Sequence, residues 1–362
     1  MTEIREYRDL TDPELAAAWD SLEREGACPA LFASRAWVTA WAASFARGLE
    51  PALILGLDAS GAPVGLAPLF AGREEAVFPV NFLSPRGEVL VRDGAEAAFG
   101  AAVLARLRKR RLRLLDASVP RGSATWRALE GPGAAGYLRV EKPGRVSPFV
   151  DVAPSWEEYA ASRPRRVTHE WERKLRKAER EARFTFHRLE PGADLGALVE
   201  RLVGVDARSW REEEGTSIGS RGVRGFYDDA TAALAGERGL RPFWLEADGR
   251  TVAFLYGAVF DGVYYALKTA FDEEFSKMSP GVVLFHGAIR DAFDTGLRRF
   301  DFVGETARWK EEWATGRREH AWVALRPAGA AGLLTQARDA WLKPLARRVL
   351  RPSSAGGEGK GR

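Results

Sequence analysis

The sequence predicts an α/β (α+β) protein of two similar halves, each a mixed, mostly antiparallel sheet flanked by helices. Three observations carry this prediction. Residues 241–313 read strand, turn, strand, turn, strand, loop, helix, strand, with a turn signal at each join. The first half repeats the same progression of strand pairs, a helix and a strand, without any fixed-period identity. The chain has 362 residues, 46% hydrophobic and 29% charged, which suits two buried cores and not a disordered chain.

Taken in order, Asp12 or Thr11 caps a helix over 12–25 with Pro13 at its first position, and Ser34 caps a second over 35–46. Trp37, Ala40, Trp41 and Phe45 fall on one face of that second helix. Strands at 51–57 and 64–70 form a hairpin around Asp58 and Gly61. Further strands are expected at 75–82 and 88–91, a helix at 95–109, and strands at 112–115, 136–140 and 148–152. A junction at 155–183 contains a short helix and then, after Pro164, a highly charged one. From 163 to 183 there are nine Lys/Arg against four Glu. Two readings are open: a solvated helix laced with pairs such as Glu170–Lys174 and Glu172–Arg176, or a basic face for a phosphate-bearing substrate. A strand at 184–189 and helices at 194–211 and 223–235 lead into the second core.

That core is the most informative stretch. Asp248-Gly249 and Asp261-Gly262 are strong two-residue hairpin signals. Pro280-Gly281 opens a helix over 282–295 whose Val283, Leu284, Ala288, Ile289, Ala292 and Phe293 recur at helical spacing. Gly296 stops it, and 300–303 is a short strand ending at Gly304. A strand at 320–326, a basic amphipathic helix at 332–350 and a Ser/Gly-rich tail follow. Trp309 and Trp313, four apart, read as one core-facing apolar pair.

Several function classes are excluded. The chain carries no P-loop, and the G-x-S-x-G match at 215–219 follows a helix instead of the strand that a nucleophile elbow needs. The G-x-G-x-x-G match at 131–136 has neither a preceding strand nor a following helix. Four histidines without ligand spacing argue against a metal site. The lone Cys28 excludes an internal disulfide and fits a cytoplasmic setting, as does a charged first segment with no apolar core. No stretch is apolar enough to span a membrane. The formal net charge of +4 is mild, and no aromatic platform interleaves the basic run, so sequence-specific nucleic-acid binding is not expected.

The DGRTVA and DGVYY turns, Ser279-Pro280-Gly281, and Phe300-Asp301-Phe302-Val303-Gly304 followed by Trp309-Lys310-Glu311-Glu312-Trp313 together resemble the acyl-CoA N-acyltransferase (GNAT) core. More narrowly they resemble CelD/BcsL-type acetyltransferases associated with cellulose biosynthesis, and FemAB-like relatives. LFASRAWVTAWAASF near the start and Arg208-Ser209-Trp210 add to the likeness. The resemblance implies two tandem GNAT-like domains, at 1–153 and 154–326, with 327–362 as a basic helix and tail. It implies transfer of an acyl group from acyl-CoA (acetyl-CoA) to an amine on a small molecule or glycan, without a metal. The alternatives are a FemAB-like transfer from aminoacyl-tRNA, or a tandem fold that only binds.

On that resemblance the acyl chain lies along the strand bearing Tyr264 and Lys268, which period-2 alternation puts on one face with Tyr265 on the other. The anionic part of the donor sits at the helix start, at Lys277, Ser279, Gly281 and Val282, where unpaired amides and the helix dipole favour negative charge. The stretch from Lys277 to Gly281 departs from the usual Gly-rich donor loop, and Pro280 removes one N–H. Asp301 and Glu305 are the expected proton acceptors, although Asp301 also reads as a structural carboxylate capping the Thr306 or Arg308 amide. Lys310 is expected either to stabilise the developing oxyanion or to anchor a phosphate, or else to pair with Glu311 or Glu305 on the surface.

Overall fold

In the computed structural model, residues 3–25, 30–131, 136–152, 155–209, 217–220, 222–235 and 239–329 are described. Cys28 and the helix expected at 332–350 lie outside them. The first half comprises β1 (Glu3–Tyr7), α1 (Pro13–Arg24), α2 (Arg35–Phe45), β2 (Glu50–Leu57), β3 (Pro63–Ala71), β4 (Glu75–Val77), β5 (Leu90–Val91), α3 (Glu96–Lys109), β6 (Arg113–Pro120), α4 (Ala124–Ala128) and β7 (Tyr137–Asp151). The second comprises α5 (Trp156–Ser162), α6 (Arg165–Glu181), β8 (Thr185–Arg188), α7 (Leu195–Asp206), α8 (Val223–Ala235), β9 (Phe243–Ala247), β10 (Arg250–Phe260), β11 (Val263–Phe271), α9 (Pro280–Asp294), β12 (Arg299–Asp301), α10 (Arg308–Trp313) and β13 (Gly316–Pro327).

The strands of both halves join in one sheet, ordered β1-β2-β3-β4-β6-β13-β7-β12-β11-β10-β9-β8. This order is palindromic. The meander β2-β3-β4, helix α3 and parallel strand β6 correspond to β9-β10-β11, α9 and β12. The centre is an exchange: β13, from the second half, pairs with β6, and β7, from the first, pairs with β12. The long β7–β13 ladder closes the seam.

Local chemistry explains the elements. Asp12 accepts hydrogen bonds from the N–H groups of Glu14 and Leu15, and Ser34 from that of Trp37, as their capping roles require. Asp248 and Gly249, and likewise Asp261 and Gly262, all have positive φ, the geometry of the tight hairpin turn. The two strands expected at 136–140 and 148–152 are one continuous β7. Pro143 and Gly144 do not break it because the register shifts there, opposite Glu319 and Ala321. A side chain at Gly144 would meet the His320 carbonyl oxygen at 2.8 Å, so that bulge needs glycine.

One face of the sheet carries a core shared by both halves, with α1 and α2 meeting α7 and α8. Trp37 and Phe226 pack edge to face at 5.0 Å across that junction. On the other face, α3 and α4 cover the first half, while α5, α6 and α9 cover the second. In the first half, the parallel β4–β6 ladder has two pairs and the segment 78–89 fills the opening beyond it. Gly87 N–H donates to the Ser118 carbonyl at 2.8 Å, and Phe78 and Val89 join the core. The corresponding opening in the second half is a cleft.

Candidate active site

β11 and β12 pair in parallel only at Val263↔Arg299, Tyr264↔Phe300 and Tyr265↔Asp301. Beyond these pairs β12 ends and the strands part. The gap holds a cleft of about 250 Å³, lined by Ala266, Lys268 and Thr269 on one side and Phe302, Gly304 and Lys310 on the other. A second hollow of about 260 Å³ adjoins it and shares Thr269, Phe285 and Trp309. That hollow runs to the start of α9, where Ser276, Ser279, Gly281, Val282 and Lys174 line it.

The α9 start is open at its first turn. A 3-10 turn, Glu273–Met278, precedes it, with Asp272 accepting from the Glu274 N–H at 3.2 Å. Ser279 has φ 55° and makes no side-chain cap, while its carbonyl takes the N–H groups of Val282 and Val283. A Cβ on Gly281 would meet nothing within 4 Å, so glycine there leaves open space above the helix end. A phosphate group fits this end in room and in the donors of the helix N-terminus, with Ser276, Ser279 and Lys174 beside it; Glu312 also lines the hollow and Lys174 pairs with Glu170 at 3.4 Å.

Lys268, Ser279, Gly281, Val282 and Lys310 therefore line the two hollows; Tyr264, Lys277, Asp301 and Glu305 do not. Tyr264 is buried under the other face, stacked on Phe300 at 4.7 Å, with its hydroxyl donating to the Arg241 carbonyl. It does not share a face with Lys268. Pairing passes from Gly257↔Ala266 to Tyr256↔Lys268, so Leu267 is an extra residue and the alternation inverts. Lys268 thus lies on the Tyr265 side, where its Nζ pairs with buried Asp206 at 3.1 Å. Lys277 is exposed, and its carbonyl accepts from Lys177 Nζ at 3.0 Å.

Asp301 is not at the cleft surface. It is 1% exposed, ion-paired to Arg86 at 2.7 Å and to Arg318 at 3.3 Å, and accepts from the Val303 N–H at 2.7 Å. Burial opposes its ionisation, but Arg86, Arg318 and that N–H outweigh it and hold the carboxyl below its ordinary value. Such a carboxylate is a poor proton acceptor. Its position instead secures the cleft wall: Val303 has φ 60°, costly for a β-branched residue, and is held by Asp301 and by Ser147, whose hydroxyl donates to the Val303 carbonyl. Nearby Glu88 is also buried, and burial pushes its carboxyl up to about 7 against the pull of Arg86 and the Phe32 N–H. Burial beside Arg86 and Arg145 pushes His320 down to about 3.

Glu305 is exposed at the rim, and its backbone carbonyl accepts from Lys310 Nζ at 3.0 Å. Trp309 and Trp313 part company. Trp313 is core, stacked on Trp171 of α6 at 3.8 Å, whereas Trp309 is 39% exposed and lines both hollows. Sequence reasoning missed Phe82, Leu83 and Pro85 from the first half and Arg145 from β7. Nothing local marks them, because strand exchange and the 78–89 segment bring them in from elsewhere in the chain.

Residues 165–311 match the family model of the acetyltransferase (GNAT) domain. No curated protein matches the sequence. The crystal structure of FemX superposes with a TM-score of 0.60 at 14% identity, covering 88% of this chain and 97% of that one. The C-terminal domain (DUF2156) of a putative lysylphosphatidylglycerol synthetase from Agrobacterium fabrum gives 0.57 at 12%, covering 95% and 98%. L-PGS from Bacillus licheniformis gives 0.56 at 14%, covering 95% and 99%. At these identities the likeness is one of fold. The chain is an α/β protein of GNAT-like fold, with its GNAT acetyltransferase domain match at residues 165–311.

Proposed function

We propose that the protein is an N-acyltransferase that moves an acyl group from acyl-CoA to an amine. One observation carries this reading: the β11–β12 ladder stops after three pairs and opens a cleft continuous with the start of α9. The donor's phosphates would lie at α9 beside Ser279, Gly281, Val282 and Lys174, and its acyl end would run along Ala266–Thr269 toward Lys310. The bulge at Leu267 interrupts the β10–β11 ladder beside the gap, where a freed N–H would polarise a thioester carbonyl. Lys310, tethered to the Glu305 carbonyl at the rim, is placed to stabilise negative charge that develops on that oxygen. With Asp301 committed to its arginines, the amine's proton would leave through rim water or Glu305. The amine enters from the side walled by Phe82 and Arg145. The narrower likeness to CelD/BcsL-type enzymes rests on the sequence phrases quoted above and points to glycan or envelope metabolism.

A second reading, transfer from aminoacyl-tRNA, is favoured by α6. This basic helix packs against the α9 start and contributes Lys174 to the hollow. Several of its cations are engaged by its own glutamates, among them Lys174 with Glu170 and Arg176 with Glu172, each at 3.4 Å. Calorimetric and thermal-shift titration with acetyl-CoA, longer acyl-CoAs, free CoA and aminoacyl-tRNA separates the two. Saturable CoA binding, followed by CoA release with an amine that Lys310→Ala reduces by roughly 10²-fold, is the expected result. Binding of tRNA alone would replace the first reading with the second.

A further inference from the structure

Arg145 stands out at the acceptor side of the cleft. It lies on β7, lines the cleft beside Gly304 and Lys310, and has no hydrogen bond or ion pair to the described residues. Its Nε is buried without a partner. The neighbouring charges explain why it stays unpaired. Asp301 is taken up by Arg86 and Arg318, and Glu305 acts on Arg145 only through space from the exposed rim. Burial and Arg86 both work against the Arg145 charge. An unpaired, partly desolvated guanidinium is costly to keep, and its planar fork matches a carboxylate or phosphate. Phe82, Leu83 and Phe302 line the same cleft and supply apolar surface beside such a pair.

We propose that Arg145 is a specificity-determining residue that recognises an anionic group on the acceptor, so that the acceptor carries a carboxylate or a phosphate close to its amine. The proposal rests on the transfer reading above for the word acceptor, but the anion site itself is read without turnover. Phosphoethanolamine, β-alanine and ethanolamine each carry a primary amine, with a phosphate, a carboxylate and no anion respectively. Their binding to the full chain is measured by ligand-observed NMR at low salt, with free CoA present to cover the α9 end.

Phosphoethanolamine, β-alanine or both should bind at least tenfold more tightly than ethanolamine. Arg145→Met should abolish that preference, while Arg8→Met, which removes an equally charged but exposed side chain, should leave it intact. Arg145→Met should also melt no lower than the parent chain, since it removes an unpaired, half-buried cation. If it fails to fold, Arg145→Lys is read in its place: it keeps the charge, loses the fork, and should weaken anion binding several-fold. Equal binding of all three amines, or a preference that survives loss of Arg145, overturns the proposal. Failure of CoA binding in the separate titration would instead count against the donor reading.

Discussion

Replacing Asp301 with alanine tests whether this carboxylate holds the fold together. Arg86 and Asp301 are 1% and 2% exposed at their side chains, and Arg86 Nε and Nη1 have no hydrogen-bond partner. Asp301→Ala therefore strands Arg86, weakens the hold on Arg318, and releases the Val303 N–H from its acceptor. Breaking a buried pair from one side costs about 3–5 kcal/mol, because the remaining charge is desolvated and uncompensated. The upper part of that range applies, since two arginines share this one carboxylate. The double variant Arg86→Met/Asp301→Ala removes the stranded cation and should recover about half the loss. Urea unfolding with linear extrapolation measures both and the single variant Arg86→Met, provided the slope is unchanged. A loss below about 1 kcal/mol in the single variant, or a double variant as unstable as the two singles added, would refute the reasoning.

Three further outcomes follow from the same geometry. Folded Glu88 keeps its proton up to about pH 7, against 4.5 for the free group, so the folded chain binds the extra proton. Its contribution is complete below about pH 4.5 and is lost as pH rises toward 7, a change of roughly 3 kcal/mol. Glu88→Gln should flatten the stability–pH curve by about that amount between pH 5 and 7.5, and parallel curves would show that native Glu88 is already ionised at pH 5. Gly281→Glu puts a carboxylate into open space over the α9 start; CoA affinity should fall at least tenfold with melting unchanged, and undiminished binding would move the donor elsewhere. Trp313→Ala should cost about 3–5 kcal/mol by removing the stack on Trp171, whereas Trp309→Ala should cost about 1 kcal/mol or less and weaken donor binding; equal losses would contradict their separate placement.

Features set by neighbours in the chain were legible in the sequence. Helix caps at Asp12 and Ser34, the Asp-Gly hairpins, the Pro280 start of α9 and the repeated order of strands and helix all depend on short-range chemistry. Ser279, Gly281 and Val282 were legible as residues of a helix start for the same reason, since a helix start exposes its first amides wherever it sits, and the structure adds that they line the second hollow. Two misreadings have specific physical causes. A single bulge at Leu267 inverts the faces of β11, and no residue type announces it. The pair Trp309 and Trp313 shares helical spacing, yet α6 covers only one of them.

What the sequence by itself determined is most of the elements, their order and the chemistry of their ends, because propensity, capping and turn geometry act over a few residues; the short β1, α4 and α10 and the continuity of β7 were not among them. Only the tertiary structure decided that β7 and β13 change places and that the segment 78–89 fills one cleft while walling the other. The same long-range packing buries Asp301 between two arginines and leaves Arg145 facing the cleft without a partner. Those outcomes depend on contacts between residues more than a hundred positions apart, such as Arg86 with Asp301, where burial and competing charges set each group's role.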